Sequence, residues 1–278
     1  MEKLIIIDGH NLLFRMFFGL PNAVYDKNGK DIHGVIGFIG SVIKTVKQEA
    51  PCHVCIVFDS EIKSERFLDE NYKKNRMIGF DEKNGPFSQL EEIIKCLELM
   101  QIDWIEKEGV EADDVIASVA KKAEQLVDEI LIISTDKDFF QLINNKIKVL
   151  VPRGKLTITY DFKMVLEKFS IIPEKYVEYC ALVGDKSDNI LGIKGIGKIT
   201  ASKLLNKYDN IENLYNNLMN ETKNIQKKLF GQHEKLRYNK RILTLQKDIS
   251  LEIELKTMYL NNFPYKTMDI IKQVIDIV

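Results

Sequence analysis

The stretch Leu4-Ile5-Ile6-Ile7-Asp8 places four consecutive apolar residues directly before an acid. Two later runs, 55–58 and 130–133, are also four apolar residues long. None of the three runs alternates with polar residues, which is typical of strands that are buried on both faces. Helical spacing of apolar residues occurs elsewhere, at about 34–49, 87–101 and 112–126. Strands that alternate with helices predict an α/β fold with a parallel sheet.

The pattern of the chain changes after about residue 145. A hairpin is predicted from Lys148–Val151 and Leu156–Tyr160, and a fourth strand of the core is predicted earlier, at Ile102–Ile105. Helical patterns dominate from about residue 161. We therefore expect an α/β core at 1–180 and a helical C-terminal region at 181–278.

Composition places the chain among ordinary globular proteins. Of its 278 residues, 45% are hydrophobic and 29% are charged, and the net charge is -1. No run of about 18 apolar residues is present, so we expect no contact with a membrane. The N-terminus lacks the features of a secretory signal, and the C-x-x-C at Cys52 and Cys55 has no matching second pair of zinc ligands. We expect buried thiols and a cytoplasmic protein.

Acids follow the three predicted core strands. Asp8 and Asp59 come directly after the first and second strands, and Asp136 follows the third after two residues. An aspartate at a strand end is often only a turn residue. Three such residues indicate more, because the carboxyl ends of parallel strands meet in one crevice, where ligands bind.

Further acids occur in tight groups. The start of the predicted helix at 112–126 carries three acids, although one would suffice to cap it. Oxygen ligands without nearby His or Cys favour Mg²⁺ or Mn²⁺ over zinc, and so many carboxylates suggest two ions, as in phosphodiester hydrolysis. The candidate metal ligands are Asp8, Asp59, Glu111, Asp113, Asp114, Asp136, Asp138, Asp185 and Asp188.

The region 189–241 has a different charge balance from the rest of the chain. It contains eleven Lys and Arg against four acids, in a chain whose net charge is -1. It begins with the glycine-rich loop Gly192-Ile193-Lys194-Gly195-Ile196-Gly197-Lys198, which precedes an amphipathic helix. Exposed N–H groups at a helix start, together with the positive charges of Lys194 and Lys198, suit phosphates of duplex DNA read without regard to sequence.

The ordered motifs resemble a known family. Ile7-Asp8-Gly9, Phe58-Asp59, the acids at 111–114 and 136–138, and Gly184-Asp185-Lys186-Ser187-Asp188-Asn189 are similar to the bacterial and phage 5′-3′ exonuclease and flap endonuclease family. That family includes the N-terminal nuclease domain of DNA polymerase I. The glycine-rich loop resembles the family's helix–three-turn–helix motif, with Lys194, Gly195, Gly197 and Lys198 as DNA-binding residues. The segment 60–86, with Tyr72-Lys73-Lys74-Asn75-Arg76, resembles its helical arch.

The resemblance implies a PIN-like parallel-sheet nuclease core with a helical arch. It implies two Mg²⁺ or Mn²⁺ ions, the first held by Asp8, Asp59 and the acids at 111–114, and the second by Asp136, Asp138, Asp185 and Asp188. Lys73 and Arg76 would act on the scissile phosphate, and Tyr72 would contact DNA. A potassium ion in the glycine-rich loop is a further expectation. The expected substrate is DNA with 5′ ends, flaps or nicks, cut by a monomeric enzyme in replication and repair.

Two other functions are considered. A catalytically weak paralogue that binds branched DNA would share the basic region but has no reason to keep nine acids. An aspartate-nucleophile phosphatase is suggested by Ile7-Asp8-Gly9, but it requires a second acid two residues after the first, where this chain has His10. A metal-dependence assay on a flap substrate separates these functions from a nuclease.

Overall fold

The computed structural model describes residues 1–60, 85–154, 156–252, 254–260 and 263–275. The described residues form two compact units. The first unit contains residues 1–60, 85–136 and those described within 247–275. The second unit contains 137–246 apart from residue 155. The two units are therefore not consecutive halves of the chain, and the expected boundary at 180/181 stays a prediction.

The first unit is built on four parallel strands in the order β3-β2-β1-β4. The side chains of Leu4 to Ile7 in β1 are almost completely buried, because strands cover both edges of β1. In register, Ile6 lies opposite Cys55 on one side and Ile132 on the other. The strands are β1 Lys3–Asp8, β2 His53–Phe58, β3 Asp103–Glu106 and β4 Glu129–Ile133.

Helices connect these strands, as parallel pairing requires. The helix α1 begins directly after β1, where the Asp8 side chain accepts a hydrogen bond from the Asn11 N–H and caps the helix. The helix α2 ends at Ala50, which adopts a left-handed conformation. The helices of this unit are α1 Gly9–Gly19, α2 His33–Glu49, α3 Leu90–Leu99, α4 Ala112–Ala123 and α11 Thr267–Val274.

The second unit starts with an antiparallel hairpin and continues with helices. An aromatic cluster of Phe140, Tyr160, Phe169 and Tyr176 packs at its centre, with ring centroids 4.4–6.0 Å apart. The elements are β5 Ile147–Arg153, β6 Leu156–Tyr160, α5 Phe162–Phe169, α6 Tyr176–Val183, β7 Gly184–Asp185, β8 Ile190–Leu191, α7 Lys198–Tyr208, α8 Ile211–Asn216, α9 Lys223–Leu229 and α10 His233–Leu243.

The predicted parallel sheet, hairpin and helical second half are confirmed. The four cysteines are free thiols, and three of them are buried. The predicted arch at 60–86 falls almost entirely outside the described residues. Within the described chain, no helix is long and apolar enough to cross a membrane.

Candidate functional site

Six of the predicted ligands belong to the first unit, and we call them the first carboxylate group. Three lie at the carboxyl ends of strands, and three lie at the start of α4. β1 ends at Asp8, β2 is followed by Asp59, and Asp136 lies three residues beyond β4. The group consists of Asp8, Asp59, Glu111, Asp113, Asp114 and Asp136.

Asp8 is the member of the first carboxylate group whose pKa is raised by burial and by its acidic neighbours. Its side chain is buried, and burial raises its pKa from 3.8 to about 6. Hydrogen bonds from Ser134 and from the Asn11 N–H lower the pKa, while the nearby charges of Asp59 and Asp136 raise it. No described lysine or arginine pairs with Asp8. Its negative charge therefore lacks a compensating cation within the described protein.

Ser134 connects two of these acids, which the sequence patterns did not reveal. Its hydroxyl donates to Oδ2 of Asp8 at 2.7 Å and accepts from the N–H of Asp136 at 3.0 Å. Beside it, the side-chain amide of Asn11 in α1 donates to the hydroxyl of Thr135 and accepts from the Thr135 N–H, in the turn after β4. These contacts fix the carboxyl ends of β1 and β4, so that Asp8 and Asp136 lie near one another.

Asp59 connects the sheet to α4. Its Oδ1 accepts a hydrogen bond of 2.7 Å from the N–H of Ala112, at the first turn of the helix. Its Oδ2 lies 3.3 Å from Nδ1 of His10 and its side chain is about half exposed. Glu111 and Asp114 at the start of the same helix are buried. The positive end of the α4 dipole therefore faces Glu111 at the N-cap, two acids of the first turn and the carboxylate of Asp59.

The remaining three predicted ligands lie in the second unit, and we call Asp138, Asp185 and Asp188 the second carboxylate group. Asp138 and Asp188 are buried, whereas Asp185 is partly exposed and accepts hydrogen bonds from the backbone and hydroxyl of Ser187. Burial raises the pKa of the Tyr176 hydroxyl, and the charges of Asp138 and Asp185 raise it further. The two acids therefore lie within electrostatic range of the same phenol.

The donor chemistry of both groups suits a hard divalent ion. All nine side chains supply carboxylate oxygens, and Asp8 carries an uncompensated buried charge that a cation would stabilise. In the described parts of the chain, no three acidic, histidine or cysteine side chains converge tightly enough to enclose a metal ion. The residues therefore fit Mg²⁺ or Mn²⁺ chemically, without a closed coordination shell.

The glycine-rich loop lies in the second unit, directly before α7. The side chains of Ile193 and Ile196 are buried and anchor the loop. Gly195 has a left-handed φ of +85°, and a Cβ on Gly192 would lie 2.2 Å from the backbone of Val183. Both positions therefore require glycine.

The predicted DNA-binding residues of this loop are all exposed: Lys194, Gly195, Gly197 and Lys198. Neither of the two lysines pairs with a described acid. Lys228 and Lys235 add two further ammonium groups, which donate to the carbonyls of Gly195 and Gly192 at 3.0 and 2.9 Å. Together with Lys194 they line a cavity of about 470 Å³. The loop therefore presents a positive concave surface.

Three predicted residues cannot be located. Tyr72, Lys73 and Arg76 lie outside the residues that the structure describes. Their roles stay predictions.

Comparisons with known proteins agree with the motifs. Residues 3–170 match the family described as "5'-3' exonuclease, N-terminal resolvase-like domain", and residues 171–266 match "5'-3' exonuclease, C-terminal SAM fold". The chain belongs to the 5′-3′ exonuclease family. A relative named 5′-3′ exonuclease, from Aquifex aeolicus, is 37% identical over 218 residues, which cover 78% of this chain and 73% of the relative.

Other members of this family are longer than the chain. The thermostable DNA polymerase I of Thermus thermophilus is 35% identical over 255 residues, which are 91% of this chain but only 30% of that polymerase. Among solved structures, the phage T5 D15 protein crystallised with metal ions has a TM-score of 0.72 at 21% identity, covering 88% of this chain and 90% of the T5 chain. This similarity confirms the predicted fold of the 5′-3′ exonuclease family.

Proposed function

We propose that this member of the 5′-3′ exonuclease family is a metal-dependent nuclease that hydrolyses DNA from 5′ ends and at 5′ flaps. The observation that carries the proposal is the buried carboxylate of Asp8. Its pKa is raised mainly by burial, two further acids lie near it, and no described lysine or arginine pairs with it. A buried charge of this kind is retained where a bound cation stabilises it.

The names of relatives support the same reaction. The Aquifex protein is named a 5′-3′ exonuclease, and a T5 D15 flap endonuclease has been solved with DNA and metal ions at 24% identity and a TM-score of 0.71. The matched polymerases are about three times longer than the matched segment. We therefore base the proposed activity on the nuclease domain and its carboxylates alone.

The carboxylates have separate tasks in the proposed reaction. The first and second carboxylate groups would each hold one Mg²⁺ or Mn²⁺ ion. Such a pair activates water and stabilises the leaving oxygen of a phosphodiester. Asp8, oriented by Ser134, and Asp59, oriented by the first N–H of α4, would help to hold the first ion. The family resemblance places Asp136 with the second ion, but Asp136 lies in the first unit and its charge acts on Asp8, so we propose that it serves the first ion.

DNA docking is assigned to the glycine-rich loop. Lys194 and Lys198 are exposed and unpaired with described acids, and α7 begins directly after the same loop without a described side-chain cap. The predicted potassium ion has less support, because the Gly192 and Gly195 carbonyls already accept lysine ammonium groups. Two positive charges 4 Å apart repel by roughly 4 kcal/mol at an effective dielectric of 20. We assign no step to potassium.

Lys73 and Arg76 are proposed to stabilise the charge that develops on the scissile phosphate. This role rests on the family resemblance of the segment around Tyr72. A cytoplasmic location and a monomeric state are further predictions made from the sequence.

A catalytically weak binder of branched DNA is the competing proposal, and Asp185→Asn separates the two. In a nuclease, removal of this charge leaves binding to a flap substrate in Ca²⁺ equal or tighter, because a charge that repels phosphate is lost. Cleavage in Mg²⁺ falls by orders of magnitude. Binding by gel shift and single-turnover cleavage measure the two effects. Equal cleavage by wild type and variant would contradict the assignment of Asp185, and absent cleavage by both would favour the binder.

A further inference from the structure

The imidazole of His10 is held against Asp59. Its Nδ1 lies 3.0 Å from the Asp59 backbone nitrogen and 3.3 Å from Oδ2. The ring packs edge-on against Phe58 and Phe87, with centroids 5.5 and 5.2 Å away. Its other nitrogen, Nε2, is buried and has no hydrogen-bond partner in the described part of the chain. The polar contacts of this ring are therefore directed at Asp59.

The two contacts from Nδ1 to Asp59 require different protonation states of that nitrogen. The Asp59 N–H donates to Nδ1 in the tautomer that carries its proton on Nε2. In that tautomer, the hydrogen bond between His10 and Asp59 is the one to the main chain of Asp59.

We propose that His10 is a positioning residue for the metal site. Its Nδ1 fixes the backbone of Asp59 at the end of β2, while the Ala112 N–H holds Oδ1. Together these two contacts fix the orientation of the Asp59 carboxylate. The inference rests on the proposed function, because it requires that Asp59 bind the divalent ion. Partners of metal ligands commonly change metal affinity 10–100-fold when they are removed.

Three substitutions separate positioning from simple packing. His10→Asn places an amide oxygen near the position of Nδ1 and can still accept the Asp59 N–H. His10→Gln carries its amide to the position of Nε2 and loses that acceptor. His10→Phe keeps the aromatic contacts with Phe58 and Phe87 and also loses the acceptor. Mn²⁺ affinity of the DNA-free protein, by electron paramagnetic resonance, is measured beside the Mg²⁺ concentration for half-maximal cleavage and the thermal midpoint in EDTA.

We expect His10→Phe and His10→Gln to weaken Mn²⁺ binding about tenfold and to raise the half-maximal Mg²⁺ concentration similarly. His10→Asn should stay within about threefold of wild type, and affinity for duplex DNA in Ca²⁺ should not change. If His10→Phe does not fold, the comparison of the Asn and Gln variants decides. Equal Mn²⁺ affinity in those two variants, or unchanged affinity in His10→Phe, overturns the inference.

Asp59→Asn makes the two possible failures distinguishable. If Asp59→Asn weakens Mn²⁺ binding and the His10 variants do not, only the positioning role is wrong. If Asp59→Asn also leaves Mn²⁺ binding unchanged, the proposed metal site itself is wrong.

Discussion

Replacing Asp8 by Asn should stabilise the metal-free protein while it abolishes the nuclease. Burial is the largest influence on the Asp8 pKa and raises it from 3.8 to about 6. The shift is about two pH units, and each unit corresponds to about 1.4 kcal/mol, so the ionised carboxylate costs the folded state up to about 3 kcal/mol above pH 6. Asparagine removes this charge but can still accept from the Asn11 N–H and donate to Ser134.

The sign of the pH dependence follows from the raised pKa. Above about pH 6 the carboxylate of Asp8 is ionised in both the folded and unfolded protein, and the full cost is present. Below about pH 4 it is protonated in both, and the cost disappears. Wild type should therefore lose stability relative to Asp8→Asn as the pH rises from 4 to 6.

Thermal and urea unfolding in EDTA, at pH 7.5 and at pH 4, measure this effect. At pH 7.5 we expect the midpoint of Asp8→Asn to lie on the order of 6 °C above wild type. Added Mg²⁺ should close the gap, because it stabilises only the protein that binds it. The matched control is Glu252→Gln, an exposed acid of the same unit. A variant no more stable than wild type at pH 7.5, or a gap that is the same at pH 4, would show that the ionised Asp8 carboxylate does not destabilise the metal-free protein.

Three further predictions concern docking, catalysis and stability. Lys198→Ala should weaken binding to all duplex sequences about equally and reduce the slope of log affinity against log salt by about one; a sequence-dependent loss would contradict non-specific docking. Lys73→Ala should lower single-turnover cleavage by roughly 10²-fold and change substrate affinity in Ca²⁺ far less; the reverse result would make it a docking charge. Glu212 has its pKa lowered to about 2, chiefly by the hydrogen bonds of Arg237. Its contribution, under about 1 kcal/mol for an exposed pair, should be complete above pH 4.5 and lost as the pH falls towards 2, so Glu212→Gln and wild type should have converging urea midpoints there.

The strands of the core and their terminal acids could be predicted because a buried parallel strand has a simple pattern. The run at 4–7 is apolar throughout, and β1 is paired on both edges. The apolar pattern did not predict α1, which starts directly after Asp8 and is capped by its side chain. An aspartate at this position serves as both a helix cap and a candidate ligand, and the sequence shows only the residue type.

The residues that orient the acids were not predictable. Ser134 is one of several serines in the sequence. Its role in orienting the acids depends on a contact with Asp8, which is 126 positions away. His10 directly follows the motif Ile7-Asp8-Gly9 at the end of β1. Its partner, Asp59, follows a different strand, β2, and is 49 positions away in the sequence. Asp136 and Asp138 are two residues apart, yet they belong to different compact units. Spacing along the chain cannot decide which ion either of them serves.

Hydrolysis of DNA at a 5′ end by the carboxylates and a divalent ion is tested by cleavage of a flap substrate labelled on its 5′ strand. The reaction is run in Mg²⁺, in EDTA and with Asp8→Asn. We expect short 5′ products from wild type in Mg²⁺, none in EDTA and none from the variant. Cleavage in EDTA, or undiminished cleavage by Asp8→Asn, would contradict this expectation.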